Sequence, residues 1–360
     1  MPVEYDSSWG LIYTAGKLHN TIIPDVVNNA ECWVLLGMNL GTFCLYHGEV
    51  FDPDYYGLSL PWSLTSTTGG LMTFFVVFYN SNCFGRYNDL YKVTKEMAGA
   101  ILELSSSLKG RVEQKKHQRR AIRLMLASCF VFFYERENDD IKEPQWVQLR
   151  ERLLLTDEEV QHLKKFQGCM MSYHLLHWSL EVIVDGIPNK DDHDDMINAF
   201  YDKVHQVRRC HQKIKDTLDL PMPFQYFHIM SFMMVINLVL WSYALAITNS
   251  FFSPIIYLFI QVIFQGIREL SAALADPFGD DDVDFPIDDW LDDMVQTNIR
   301  LVEDSFDPVA GVETEEALPI PEEGDVDVFI DDNEGSSGRR KAKVGDTSAR
   351  SLEMDEASED

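Results

Sequence analysis

The densest concentration of chemically capable side chains is Asp276-Pro277-Phe278-Gly279-Asp280-Asp281-Asp282-Val283-Asp284-Phe285, ten residues with five carboxylates. Ionised Asp only accepts hydrogen bonds, and several on one turn repel each other unless a hard cation gathers them, so an oxygen-lined calcium-type site is one reading. A solvated acidic run is the other, since blocks of like charge are commonly tails. The stretch is not an EF-hand. With Asp280 as first loop position, Phe285 stands where Gly is needed and Leu291 where a bidentate Glu is needed. Calcium bound here would therefore draw part of its shell from backbone carbonyls near Pro277 and Gly279.

No other cluster points to chemistry. There is no nucleophile elbow, phosphate loop or GxGxxG, and the pattern does not indicate an enzyme. His174, His177, His205, His211 and His228 show no metal-ligand spacing. The six cysteines, Cys32, Cys44, Cys83, Cys129, Cys169 and Cys210, have no paired spacing and read as buried or free thiols in a reducing compartment. A formal charge of −28 argues against nucleic acid. That charge is unevenly placed: between Arg268 and Arg339 the only base is Arg300, while Arg86 to Lys215 holds most of the Lys and Arg.

The elements that must position the acidic stretch are apolar helices. Pro221-Met222-Pro223 introduces Phe224 to Ile247, and after a short turn Ser253 to Ile267 supplies a second apolar run, so the two read as a bilayer hairpin. Earlier, Cys32 to Tyr46 reaches membrane thickness only by admitting Asn39. A further segment opens at Leu60-Pro61-Trp62 and ends at Phe78, before Asn80, Ser81 and Asn82. Its Thr, Ser and Gly content suits a helix packed among others or lining a water path. Membrane helices are thus expected at about 31–48, 60–82, 224–248 and 253–268. A helical cytosolic region is expected over 86–220, where Ala121 to Tyr134 is too short to span and fits a buried helix. Thr156-Asp157-Glu158-Glu159 resembles a capping box. No period-two alternation supports a sheet. Trp9, Leu11, Ile12 and Tyr13 form a short amphipathic piece for a membrane surface or the protein body. Residues 306–360 read as an acidic, disordered tail. Loops 49–59 and 248–252 lack Lys and Arg, which puts both termini in the cytoplasm. The first thirty residues carry no signal or transit character, so the expectation is the plasma membrane rather than a chloroplast thylakoid.

An apolar helix followed by Asp276-Pro277-Phe278-Gly279-Asp280-Asp281-Asp282-x-Asp284-Phe285 and then Trp290 resembles the bestrophin family of anion channels. A looser second similarity is Phe78-Tyr79-Asn80-Ser81-Asn82-Cys83-Phe84-Gly85-Arg86-Tyr87, where Phe78 and Arg86 agree outright and Phe84 and Tyr87 keep an aromatic. The likeness extends over about residues 1–305. It implies an all-α polytopic protein with four membrane helices per subunit, a helical cytosolic domain and a homopentamer around one pore in the lipid bilayer. The cargo would be monovalent anions such as chloride or bicarbonate, and the channel would be calcium-regulated. Counted back from Arg86, the family's hydrophobic neck falls on Gly70, Phe74 and Phe78, where Gly70 replaces a bulky aliphatic and widens one level. The resemblance makes Asp281 and Asp284 side-chain calcium ligands and gives Ala273 and Asp276 carbonyl roles. A further carbonyl would come from a neighbouring subunit's N-terminal segment, near Ser8. Asp280 and Asp282 complete the acidic cluster and shape its field. From periodicity alone, ordinary helix packing is the favoured reading of Phe74 and Phe78, and only the resemblance reverses it. The alternative for the whole chain is a non-channel membrane scaffold or transporter regulator.

Overall fold

The computed structural model describes residues 8–305, apart from 19–20, 138–140, 167–169, 189–192, 221, 249 and 280–282. The chain divides into Met1–Asp304 and Ser305–Asp360, and the expected tail over 306–360 lies outside the described residues. Among those described, every regular element is a helix. Short α1 (Leu11–Gly16) and α2 (Ile22–Asn28) precede α3 (Ala30–His47) and the long α4 (Trp62–Arg111). A run of six helices follows: α5 (Lys115–Glu137), α6 (Glu143–Glu151), α7 (Asp157–Leu163), α8 (Met170–Asp185), α9 (Asp194–Asp219) and α10 (Phe224–Ala246). The last two are α11 (Ser253–Ala275) and α12 (Ile287–Glu303).

Two hydrophobic cores are stacked along α4. Its 50 residues extend about 75 Å at 1.5 Å per residue. On the first half, Thr65, Gly69, Met72, Val76, Tyr79 and Cys83 recur at intervals of three and four and are all buried, so they share one face. That face packs on α10 and α11 through Met230, Met234, Leu238, Trp241, Tyr257 and Leu274, with Leu35 of α3. On the second half, Leu90, Val93, Met97, Ile101, Leu104 and Leu108 enter a larger core with α5, α8, α9 and α12. The helix expected to end near residue 82 thus runs on unbroken. The polar residues there are absorbed locally: Asn80 Oδ1 accepts from Ser271 Oγ at 2.9 Å and Asn82 Nδ2 donates to the Phe78 carbonyl at 3.0 Å.

The second core bears out the reading of Ala121 to Tyr134, which is buried along α5 except for Arg123 at one edge. The capping box also forms. Thr156 Oγ1 accepts from the Glu159 N–H at 3.3 Å, and Glu159 Oε2 accepts from the Thr156 N–H at 2.9 Å. Glu159 additionally takes a forked pair from Arg123 at 2.7 and 2.8 Å.

The first core has the character of a membrane assembly. Among the described residues α10 and α11 are long and apolar enough to cross a bilayer. Large apolar side chains stand uncovered on the first-core helices: Trp33 and Val34 on α3, Val77 on α4, Phe232 and Val235 on α10, Phe259 and Ile263 on α11. Lipid or neighbouring chains are the natural cover for such surface. Polar residues inside this core join helices to one another. Asn39 Nδ2 donates to the Ser242 carbonyl and Gln261 Nε2 to the Cys32 carbonyl, each at 2.7 Å and fully buried. Asn39, which weakened the sequence case for α3, is thus the residue that fastens α3 to α10. The N-terminal amphipathic piece does not pack on the body: Leu11, Ile12 and Tyr13 of α1 are exposed. The five described cysteines are free thiols, four of them buried.

At Gly69 an added Cβ would sit 2.4 Å from Trp241 Cζ2, whereas one at Gly70 would meet nothing within 4 Å. Gly69→Ala is expected to destabilise the detergent-solubilised protein by about 1–3 kcal/mol, as overpacking does. Gly70→Ala is expected to leave stability unchanged. Thermal unfolding of the two variants side by side checks the pair.

Candidate functional site: the Phe face of α4 and the loop after α11

Helical geometry settles where Gly70, Phe74 and Phe78 sit. At about 100° per residue, Phe74 lies diametrically opposite the buried face of α4, with Gly70 and Phe78 on either side of it. All three are uncovered in the single chain, Phe74 at 64% and Phe78 at 51% exposure. Their rings stack with centroids 6.3 Å apart and planes 11° from parallel. Phe78 also meets the Tyr226 ring of α10 edge-on at 6.0 Å, so it packs partly within the protomer, while Phe74 faces away from the core. The side of the helix that carries them is free for an axis or a neighbouring chain.

The acidic stretch begins where α11 stops. A helix C-terminus leaves its last carbonyls without intrahelical partners and carries partial negative charge, so Ala273 and Asp276 stand among oxygens able to serve a cation. Asp276 is exposed and Ala273 half-buried. The loop is closed by the Phe285 N–H, which donates to the Pro277 carbonyl at 3.0 Å. Asp284 is turned inward, 4% exposed. Its Oδ2 lies 3.0 Å from where a Cβ on Gly279 would be. Gly279 therefore leaves room for a carboxylate that a larger residue would displace. Asp280, Asp281 and Asp282 lie outside the described residues, so of the two expected side-chain ligands only Asp284 can be placed. Among the described residues no three His, Cys, Asp or Glu side chains converge on one point. The available donors are all oxygens and partly backbone, which fits a hard cation rather than a soft one. Ser8 is exposed ahead of α1.

Residues that sequence reasoning did not assign join the loop to α4. Arg86 donates from Nε to the Ala275 carbonyl at 2.7 Å and from Nη1 to the Leu220 carbonyl at 2.6 Å. One guanidinium thereby caps the last turns of α11 and α9 from a point two turns below Phe78. Tyr87 donates to the Val283 carbonyl at 3.3 Å and its ring lies 4.7 Å from Phe285. Burial, and next the Asp284 carboxylate, push the Tyr87 phenol above its ordinary pKa, so it stays a donor. Phe285 also touches Tyr91, Phe278 and Trp290, and Phe278 reaches Phe133 on α5 at 5.6 Å. Lys95 sits 3.8 Å over the Trp290 ring. In the sequence, Tyr87, Phe278, Phe285 and Trp290 stand within or beside the two family-like stretches but carry no assigned role, and Tyr91 has no signal of its own.

With this geometry in hand, the likeness to known proteins is specific. The profile of the family described as "Bacterial/Fungal Bestrophin protein" matches residues 5–300. Bestrophin-6 of Caenorhabditis elegans is 20% identical over 254 residues, and the similarity spans 66% of this chain and 66% of that one. A single-substitution variant of the bacterial bestrophin homologue from Klebsiella pneumoniae has the same fold, with a TM-score of 0.68 at 17% identity over 79% of this chain and 100% of that one. The same homologue solved by zinc phasing gives 0.66 at 17% identity over 75% of this chain and 97% of that one. The fold is that of an all-helical membrane protein. The chain belongs to the bestrophin family, membership that supports a membrane anion channel in general.

Arg86→Met is expected to lower unfolding stability by about 1–3 kcal/mol, because a part-buried carbonyl at Ala275 and an exposed one at Leu220 lose a charged donor. Arg86→Lys should recover only part of it, since an ammonium cannot fork to both. Chemical unfolding monitored at the α12 Trp290 checks both variants.

Proposed function

We propose that this chain forms an anion-selective channel in which several copies, five by family resemblance, place their α4 helices around one central pore. The observation that carries the reading is the two-faced character of α4, with Gly70, Phe74 and Phe78 uncovered on the side opposite the protomer core. Stacked Phe levels suit an anion neck. An aromatic ring is electropositive at its rim, so rings turned edge-on stabilise a partly dehydrated chloride or bicarbonate, and an apolar ring can also close by dewetting. Gly70 leaves one level wide.

Regulation by calcium is part of the same proposal. Ala273 and Asp276 through their carbonyls, and Asp281 and Asp284 through their carboxylates, would hold the ion, with Asp280 and Asp282 adding field. Bound there, calcium supplies the positive charge that lets neighbouring carboxylates lie together. The chain's own part is transmission. Phe285 and Val283 are held to α4 by Tyr87, and Arg86 holds the end of α11, so a change of loop order acts on the neck helix about 12 Å away along α4. Membership of the family also supports a multi-pass membrane location.

Chloride efflux from liposomes carrying the purified protein tests the conduction claim, and absence of flux would favour the scaffold reading. Phe74→Ala and Phe78→Ala are expected to raise basal flux or change rectification, and unchanged currents in both would remove these rings from the pore. Flux is expected to rise from chelator to micromolar calcium and to lose that response in Asp284→Ala. Equal flux in both conditions, unaffected by the substitution, would end the calcium part.

A further inference from the structure

The least expected group in the second core is Glu135, one turn from the end of α5. It is 4% exposed, and neither carboxylate oxygen has a hydrogen-bond partner among the described residues. An ionised carboxylate in that setting forfeits its hydration with nothing in return, whereas the neutral acid does so at far lower cost. Two side-chain ties join this end of α5 to α9. Phe132, three residues earlier, stacks on His211 at 4.3 Å and 3°. Arg136, the next residue, pairs with Asp219 at 3.1 Å. Between these two ties lies Lys215. Among the described residues, the charges that act on Glu135 are two cations, Arg136 and Lys215, with Asp219 already engaged by Arg136; none is resolved from α4, α6, α8 or α12, which also pack on α5. His211 is fully buried, both ring nitrogens lack partners among the described residues, and burial lowers its pKa to about 3, so it stays neutral.

The charged form of Glu135 has partners within reach that the neutral form leaves unused. Arg136 Nε is buried without a partner among the described residues, and Lys215 is half-buried one helical turn beyond His211. If either turns to a new carboxylate, the α5–α9 contact must rearrange, and a turning Arg136 releases Asp219. Asp219 immediately precedes Leu220, whose carbonyl Arg86 holds from the neck helix.

We infer that Glu135 is a proton-binding site: it is held as the neutral acid between α5 and α9, and its deprotonation at alkaline pH reorganises the Arg136–Asp219 contact and reaches α4 through Leu220 and Arg86. The part concerning α4 rests on the channel reading above; the proton site itself does not. Burial raises the Glu135 pKa from 4.5 to about 8, against the lowering effect of Arg136 and Lys215. A raised folded-state value means the folded protein binds this proton more tightly than the unfolded chain. Its stabilising contribution is therefore complete below about 4.5 and lost as pH rises toward about 8.

Glu135→Gln imitates the neutral acid and cannot titrate. In purified full-length protein, the melting temperature of the wild type is expected to fall relative to Glu135→Gln as pH rises through that window. Infrared spectra should show a protonated-carboxyl band that disappears at about pH 8 in the wild type and is missing in the variant. Chloride flux in liposomes should change with the same midpoint in the wild type and stay flat in the variant. Parallel melting curves and no such band would overturn the proton site. Divergent melting curves with identical flux profiles would overturn its link to α4. Divergent melting curves with no flux from either protein at any pH would leave the proton site standing and reject the channel reading.

Discussion

A single guanidinium sets the geometry on which the rest depends. Arg86 stands where α4 leaves the first core, and its two donors reach carbonyls 134 and 189 residues away in sequence. Both belong to helix ends, where the macrodipole and the unpaired acceptors favour a cation. The charge therefore finds compensation without a carboxylate, and the planar fork fixes two directions at once. That one contact ties the end of α9 and the end of α11 to α4. The membrane hairpin and the acidic loop inherit their position from it.

The aromatic cluster below Arg86 extends the same constraint. Tyr87, Tyr91, Phe285, Trp290, Phe278 and Phe133 connect α4, the loop, α12 and α5 in one chain of ring contacts. Such contacts are individually small, yet they have little freedom to slide because offset and edge-to-face geometries are the favoured ones. The loop's apolar residues and backbone thus serve as anchors, a role separate from that of its carboxylates. This division explains why Pro277, Phe278 and Gly279 precede the Asp run. Pro277 offers the carbonyl that closes the loop, Phe278 anchors it and Gly279 leaves room for Asp284.

Much of the architecture was legible in the sequence because it rests on local pattern. The apolar run of α5, the capping box at Thr156 and the Pro-x-Pro break before α10 all express short-range preferences that tertiary packing reinforces. The continuation of α4 was not legible. Asn80, Ser81, Asn82 and Gly85 look like the end of a span, and only the partners supplied by Ser271 and by the helix's own carbonyls let it run on. Asn39 misled in the same way, since a polar residue in an apolar run reads as a weakness until the acceptor on α10 is known. The Phe face was ambiguous for a physical reason: period alone says that Phe74 and Phe78 share a side, and only the packed opposite side says which one. Of the acidic stretch, Asp284 is placed and Asp281 lies outside the described residues, so the expected ligand pair is half visible.

Glu135 marks the limit of reading by pattern. At the end of an apolar helix and followed by Arg136, it looks like an ordinary polar flank entering solvent. Its burial comes from helices distant in sequence, which cover it while neither carboxylate oxygen has a hydrogen-bond partner among the described residues. A sequence selected for folding alone would place an apolar residue there, since replacing a buried, unpaired carboxyl by a hydrocarbon of similar size removes a desolvation cost and gains contact. Local rules broken without compensation in the fold are the expected mark of a functional position. The break falls beside the ion pair that terminates α9, one residue from the carbonyl held by Arg86. A charge that comes and goes there would act on the contact that ties α4 to the ends of α9 and α11.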